Sequence, residues 1–290
     1  MIDTGIHIGL GMEDYHAYKL DKSNLAQGPI SSSTLKQFSR NPYAWLRSED
    51  KQPTASMQTG SLLDMALTEP HRFESCVVPS PYENYRSKDA RAWRDETLAG
   101  GMLIASQVER ENAKACAAAV RSHDVAGSIL QDANFQVGAV AKVGDIPAKC
   151  LVDIVPGQGE WEEHLFDYKT TSNGLDDENI RKTIGQWKYH FQAAFYRSVF
   201  NKASKDRLCE KFGFIFQDPM TREVRVVVLD DDSLALGTKL VSQALQDFTR
   251  CAYRGINSRY AKSASTLGVM PYQAMADEDF LITLEQEADQ

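Results

Sequence analysis

Cysteine is sparse in this 290-residue chain, and it is not spaced for cross-linking or for metal binding. Cys76, Cys116, Cys150, Cys209 and Cys251 are odd in number, no two lie closer than 34 positions, and no CxxC pair occurs. That spacing argues against a disulfide framework and against a zinc or iron–sulfur site. Long apolar runs are missing too. None approaches the roughly 18 residues of a spanning helix, and the stretch MIDTGIHIGLGMEDYH has no basic segment ahead of an apolar one. These features predict a cytoplasmic protein. No Gly-rich phosphate loop, internal repeat or low-complexity linker is visible. Positive charge is also in deficit, with 32 Lys and Arg against 40 Asp and Glu, a net charge of −8. An anionic polymer is repelled by that balance, so any phosphate contact has to be local. Part of the acidity, Asp277, Glu278, Asp279, Glu285, Glu287 and Asp289, sits in the tail, where it can stay clear of a binding channel. Hydrophobic content of 42% is that of an ordinary globular chain, and the length allows a sizeable core.

Residues 1–29 read as loop apart from Met12–His16, closed by Gly28-Pro29. In PISSSTLKQFSRNPYAWL the serines offer an N-cap, Leu35 and Phe38 begin an apolar face, and Pro42 interrupts it. Free N–H groups and the hydroxyls of Ser31 and Ser33 there can hold a phosphate, with Arg40 and Arg47 nearby, or can simply cap the helix. TGSLLDMALTEPHRF is a second helix, with Leu63 and Leu67 on one face, Asp64 beside them and Pro70 as terminator. Residues 82–95 bring Arg86, Lys88, Arg91 and Arg94 together with Tyr82, Tyr85 and Trp93. This basic-aromatic mix is a candidate DNA-tracking surface, or a solvated face diluted by Glu83, Asp89 and Asp95. Residues 105–122 form an alanine-rich amphipathic helix, and 124–131 a short continuation.

From Phe135 the period becomes two, so FQVGAVAKV, AKCLVDIV and HLFDYKTT read as three consecutive strands. Over 177–202 a helical stripe carries Ile180, Ile184, Trp187, Phe191 and Phe195, leaving Lys188, Gln192 and Tyr196 on another stripe at i, i+4, i+8. KFGFIFQ (211–217) and REVRVVVLD (222–230) form an antiparallel pair around Asp218-Pro219, and a helix follows from about Asp232 to Tyr253. Phe280, Leu281 and Leu284 offer a short docking segment near the end. This order predicts one α/β (α+β) domain over 1–290, a mixed sheet flanked by helices, with an N-terminal extension over 1–29 and an acidic tail from about 260.

The chemistry concentrates at CLVDIVPGQGEWEEHLFDYKTT, residues 150–171. On a strand Asp167 and Lys169 point one way while Phe166, Tyr168 and Thr170 point the other. Two carboxylates hold a hard divalent cation through oxygen, and a lysine beside them orients or polarises the attacking water and counters a phosphate's charge. That is the equipment of a Mg²⁺-dependent nuclease. It makes a geometric demand. With a tight turn at 156–159, Asp153 would face Glu162, and Asp167 would lie roughly 16 Å further along the strand. Asp153 meets Asp167 only if the connection runs from about Pro156 to Glu163, with the second strand starting near His164.

Taken together, the motifs resemble the PD-(D/E)XK nuclease superfamily, and within it the exonuclease VIII group (RecE-like, related to the YqaJ and lambda-exonuclease alkaline nucleases). ISSSTLKQF is similar to the group's serine-rich helix start. Gly60-Ser61-Leu62-Leu63-Asp64 with Glu69-Pro70 resembles its Gly-x-x-x-His helix followed by Glu-Pro. Asp153 resembles the metal-site aspartate, Asp167 and Lys169 the Asp-x-Lys strand, and Gln192 and Tyr196 the Gln-x-x-x-Tyr helix. The departure is Asp64, where the family often has histidine; it adds negative charge beside the metal. The resemblance implies a restriction-endonuclease-like core in which Asp64, Asp153, Asp167 and the Tyr168 carbonyl bind Mg²⁺, with Mn²⁺ able to substitute and no iron–sulfur cluster. Lys169 then positions the attacking water, Gln192 holds the water or phosphate, and Tyr196 the backbone or terminal base. Ser31, Ser33, Arg40, Arg86, Lys88, Arg91 and Lys188 are the candidate phosphate contacts. The implied activity is degradation of linear duplex DNA from 5′ ends, in a phage setting, by a ring-shaped homo-oligomer that hands 3′ tails to a RecT/Bet-like annealing protein. Alternatives are an endonuclease with the same centre and a non-catalytic DNA-end binder.

Overall fold

The computed structural model describes residues 2–49, 54–257, Gln273 and Met275. The chain divides into two compact units, Met1–Ile256 and Asn257–Gln290, and every element below belongs to the first. The docking expected of Phe280, Leu281 and Leu284, and the acidic tail, lie outside the described residues.

In chain order the elements are β1 (Gly5–His7), α1 (Met12–Ala17), α2 (Ser32–Arg40), α3 (Pro42–Arg47), α4 (Ala55–Thr68), α5 (Pro70–Cys76), β2 (Val77–Val78), α6 (Lys88–Ala99), β3 (Leu103–Ile104), α7 (Gln107–Ser122) and α8 (Asp124–Leu130). There follow β4 (Asn134–Val143), β5 (Ile146–Val155), β6 (His164–Thr170), α9 (Asp177–Trp187), α10 (Tyr189–Ala203), β7 (Lys211–Gln217), β8 (Val224–Val228) and α11 (Asp231–Arg254). The main sheet runs β1-β4-β5-β6-β7-β8 and is mixed: β6 and β7 are parallel, from His164↔Lys211 to Thr170↔Gln217, and every other pair is antiparallel. Helix α10 lies in the crossover that the parallel pair requires. Among the described residues no helix is long and apolar enough to cross a membrane.

Local signals explain most boundaries. Asn41 stops α2 in an extended conformation, and its side chain accepts from the Ala44 N–H at 3.0 Å, so Pro42 becomes the first residue of α3. Pro70 acts the same way, closing α4 and opening α5. Helix α7 starts from a complete capping box, Ser106 with Glu109. Two expectations need correction. The first 29 residues are not loop around a single turn of helix, because Gly5–His7 pairs with β4 as an edge strand. Three residues are too few to show a period, and the pairing comes from a strand more than 130 positions away. Residues 177–202 are not one helix either. Lys188 takes a left-handed conformation, φ 51°, and splits the span into α9 and α10. The kink takes Trp187 off the core stripe, leaving it 55% exposed, while Phe191 and Phe195 stay buried.

The sheet buries both faces. One carries α2, α10 and α11, with Phe38 edge-on to Trp45 and Phe248, and with Phe212, Phe214 and Phe216 of β7. The other carries α4, α5, α7 and α8 over Ile154, Phe166, Tyr168 and Ile215. Alternation on β4 and β5 slips at one point. Val137 and Val152 face the first core, whereas Phe135 and Ile154 face the second. The residues at the slip are Gln136, at φ 49°, and Asp153, which lie opposite each other between the pairs Phe135↔Ile154 and Val137↔Val152.

Candidate active site

Asp153 sits where the strand pattern breaks, and the neighbouring ladder breaks there as well. Strands β5 and β6 share the register pair Ile154↔Phe166, and one step further the Tyr168 N–H donates to Asp153 Oδ2 at 3.0 Å. A carboxylate has entered the ladder. The connection between the strands spans 156–163 and β6 starts at His164, as the meeting of the two aspartates required. Arg207 pins this loop by donating to the carbonyls of Pro156, at 2.7 Å, and Glu162.

Asp167 and Lys169 leave β6 on the α10 side. Asp167 is 1% exposed; the Gln192 amide donates to its Oδ1 at 2.6 Å and the Lys169 ammonium pairs with its Oδ2. Lys169 also lies over the Tyr189 ring, 5.3 Å from its centre. Burial opposes the charge on Lys169, but Asp167 and Asp153 outweigh it and hold the pKa above the usual lysine range. Lys169 is therefore an ammonium at neutral pH. It can donate and polarise, and it cannot serve as a general base.

Asp64 arrives from the opposite layer on α4, whose Gly60 comes close to Thr170 of β6. The Gln136 amide donates to Asp64 Oδ2 at 3.0 Å and to Thr68 Oγ1 at 3.1 Å, so the left-handed residue on β4 orients this carboxylate. Burial and then the Asp167 charge push Asp64 up to about 7, against the pull of Lys169. Asp153 is raised well above the carboxylate range by burial, Asp167 and Asp64. The three carboxylates thus press on one another, with Lys169 as the cation among them. Asp64 Oδ1 and Asp167 Oδ2 are buried without a hydrogen bond, the latter facing the lysine.

This donor set fits a hard divalent cation: it is all oxygen, it is crowded with like charge, and it keeps an unmatched carboxylate oxygen on Asp64. As the side chains stand, no three His, Cys, Asp or Glu groups among the described residues close around a single point. In this arrangement the positive charge at Asp167 comes from Lys169.

The other predicted residues divide. Tyr196 joins the centre, half-buried on α10, its hydroxyl raised far up by burial and by Tyr15, Asp167 and Asp153. It does not belong to a solvent-facing polar stripe. Lys188 is exposed at the α9–α10 corner. Ser31 is the N-cap of α2, accepting from the Thr34 N–H at 3.3 Å and hydrogen-bonded to the hydroxyls of Ser33 and Thr34. Arg40 lies at the other end of that helix, roughly 13 Å away. Arg86, Lys88 and Arg91 are exposed at and before the start of α6, which packs against β3; none pairs with the three aspartates. The structure adds four residues that the motifs did not mark: Gln136, Tyr15, Tyr189 and Lys36. Tyr15 is buried beside Asp153, and Lys36 feels both Lys169 and Asp167. A lysine one position past the apolar Leu35 in a serine-capped helix was the available signal for Lys36.

Comparison with known proteins agrees with this fold. A family described as a PDDEXK-like domain of unknown function (DUF3799) matches residues 31–266. The fold is similar to that of a candidate exonuclease from Eubacterium rectale, with a TM-score of 0.58 at 14% identity over 93% of this chain and 99% of that one. The solved structure of SSO0001 aligns over 74% of this chain and 84% of its own at 14% identity, but its TM-score of 0.25 carries no weight. No curated protein matches the sequence.

Proposed function

The chain belongs to the family of PDDEXK-like domains of unknown function (DUF3799), and from that premise we propose that it is a divalent-metal-dependent exodeoxyribonuclease acting on linear duplex DNA from 5′ ends. The family supports a nuclease and the fold agrees with it. The observation that carries the proposal is the convergence of Asp153, Asp167 and Lys169 at the broken β5–β6 ladder, with Asp64 reaching them from α4 and Gln192 from α10.

Asp64, Asp153, Asp167 and the Tyr168 carbonyl are the proposed ligands of Mg²⁺ or Mn²⁺. When bound, the cation neutralises charge on the phosphate and acts as a Lewis acid toward its oxygens. The chain's own groups do the rest. Gln192 and Gln136 fix the rotamers of Asp167 and Asp64, so the carboxylates meet the substrate without reorganising. Lys169, held as an ammonium, donates a hydrogen bond to a non-bridging oxygen of the scissile phosphate; the attacking water gives its proton to an ionised carboxylate of the centre as its oxygen bonds to phosphorus, and the P–O bond to the leaving nucleotide breaks with that oxygen taking up a proton. Tyr196 and Tyr15, both protonated, offer hydroxyl donors beside Asp153. The ring-shaped homo-oligomer and the RecT/Bet-like partner rest on the resemblance of the motifs alone. The phosphate-binding roles given to Ser31, Ser33, Arg40, Arg86, Lys88 and Arg91 rest on helix position and local charge in the sequence.

The test is incubation of linear duplex labelled at its 5′ or 3′ ends, and of a covalently closed circle, in Mg²⁺ and in EDTA. Early release of 5′ label, an intact circle and silence in EDTA are expected. Cutting of the circle would establish an endonuclease, and no metal-dependent product at all would leave a DNA-end binder.

A further inference from the structure

The same site has a second, cationic lobe. Lys36 of α2 reaches the α9–α10 corner and donates to the Trp187 carbonyl at 2.9 Å. Lys188 forms that corner, and Lys169 lies on the sheet side of it, over Tyr189 at the start of α10. The three ammoniums are near enough to repel: burial first, then Lys169 and Lys188, hold Lys36 below the usual lysine pKa. His190 feels both Lys188 and Lys36 and is lowered by burial and by their charges. The neighbouring carboxylate, Asp167, is already engaged by Lys169 and Gln192. Among the described residues Lys36 has no ion pair, and its bond to a neutral carbonyl leaves two of its three N–H donors uncommitted there.

The backbone at the corner adds an independent observation. A side chain at φ 51° costs about 1 kcal/mol, and the positions where helices turn through this conformation favour glycine or asparagine. A lysine is held there instead, next to two more lysines, in a chain of net charge −8. The like-charge repulsion gathered at this point is relieved by one ligand class: an anion.

We propose that Lys36 and Lys188 form a phosphate clamp beside the carboxylate centre, holding a nucleic-acid phosphate so that its neighbour along the strand lies at Asp153 and Asp167. The clamp rests on the nuclease reading and names the residues by which an acidic protein grips an acidic polymer.

The experiment measures duplex binding in EDTA against salt, with 5′-hydroxyl and 5′-phosphate ends, for the wild type, Lys36→Gln and Lys188→Gly. Gln keeps a donor for the Trp187 carbonyl and removes only charge; Gly suits the left-handed backbone and removes charge. Each variant should weaken binding about tenfold near physiological salt and reduce the slope of log affinity against log salt by about one. Lys188→Gly should do so while raising the thermal unfolding midpoint, a pairing that a merely structural lysine would not produce. Loss on both kinds of end identifies an internal phosphodiester; loss confined to 5′-phosphate ends identifies the terminal phosphate. Unchanged salt slopes in both variants overturn the clamp and leave the nuclease reading standing if the wild type still cleaves. A wild type that neither binds nor cleaves duplex overturns both. Should Lys36→Gln fail to fold, Lys36→Arg with a wild-type slope, set against Lys188→Gly, decides the matter.

Discussion

Replacing Asp64 by asparagine should stabilise the protein at alkaline pH in the absence of divalent cations. The reasoning starts from burial. Asp64 titrates near 7 in the folded chain against 3.8 for an unperturbed aspartate, so between those values the folded state binds a proton that the unfolded state has released. Stability therefore falls as pH rises through that window and reaches its floor above about 7. A displacement of about three pH units at about 1.4 kcal/mol each bounds the cost of the ionised carboxylate at about 4 kcal/mol. Asparagine keeps the shape and an acceptor for the Gln136 amide but never ionises. It also removes one of the charges that raise Asp153, so Asp153 titrates lower. Urea denaturation of both proteins in EDTA from pH 4 to 8.5 should show equal stability near pH 4 and an advantage of about 2–4 kcal/mol for Asp64→Asn at pH 8. Saturating Mn²⁺ at a hundred times its Kd should restore about 2.7 kcal/mol to the wild type and less to the variant. A difference that does not change with pH, or an asparagine variant weaker at pH 8, would refute the placement of Asp64 against Asp167.

Lys169→Ala should abolish cleavage of labelled duplex and leave binding in EDTA close to wild type, because it removes the ammonium paired with Asp167 and spares Lys36 and Lys188. Gln192→Leu takes away the donor to Asp167 Oδ1, and metal titration followed by turnover should show a 10- to 100-fold loss in apparent metal affinity or rate. Gly237→Ala puts a methyl 2.1 Å from the His190 carbonyl oxygen, where α11 crosses α10. Thermal and urea unfolding should register about 2 kcal/mol of destabilisation, with activity falling as the start of α10 is displaced.

Much of the fold was legible because burial imposes a period. The strand over 211–217 and the helix from Asp231 to Arg254 follow directly from alternation of two and a period of 3.6. The eight-residue connection after Val155 was legible from function, since only a loop of that length lets Asp153 meet Asp167. Elements held by distant partners were not legible. Gly5–His7 has no pattern of its own and becomes a strand by pairing with β4. The break at Lys188 was hidden by side chains that fit one continuous helix.

Residue type and spacing supply the candidate chemistry: two aspartates and a lysine on adjoining strands, a glutamine and a tyrosine four apart, an aspartate beside an apolar helical face, and an acidic balance that demands local positive charge. Those are properties of residue type and spacing, which the chain carries before it folds. Tertiary structure alone decided how the centre is held. Gln136 steadies Asp64 because the slip on β4 aims it across the sheet, and Tyr15 reaches Asp153 from α1. Lys36 meets Lys188 and Lys169 because α2 and the α9–α10 corner pack on one layer. Contacts between residues 68 to 152 positions apart leave no period and no motif in a sequence; packing makes them.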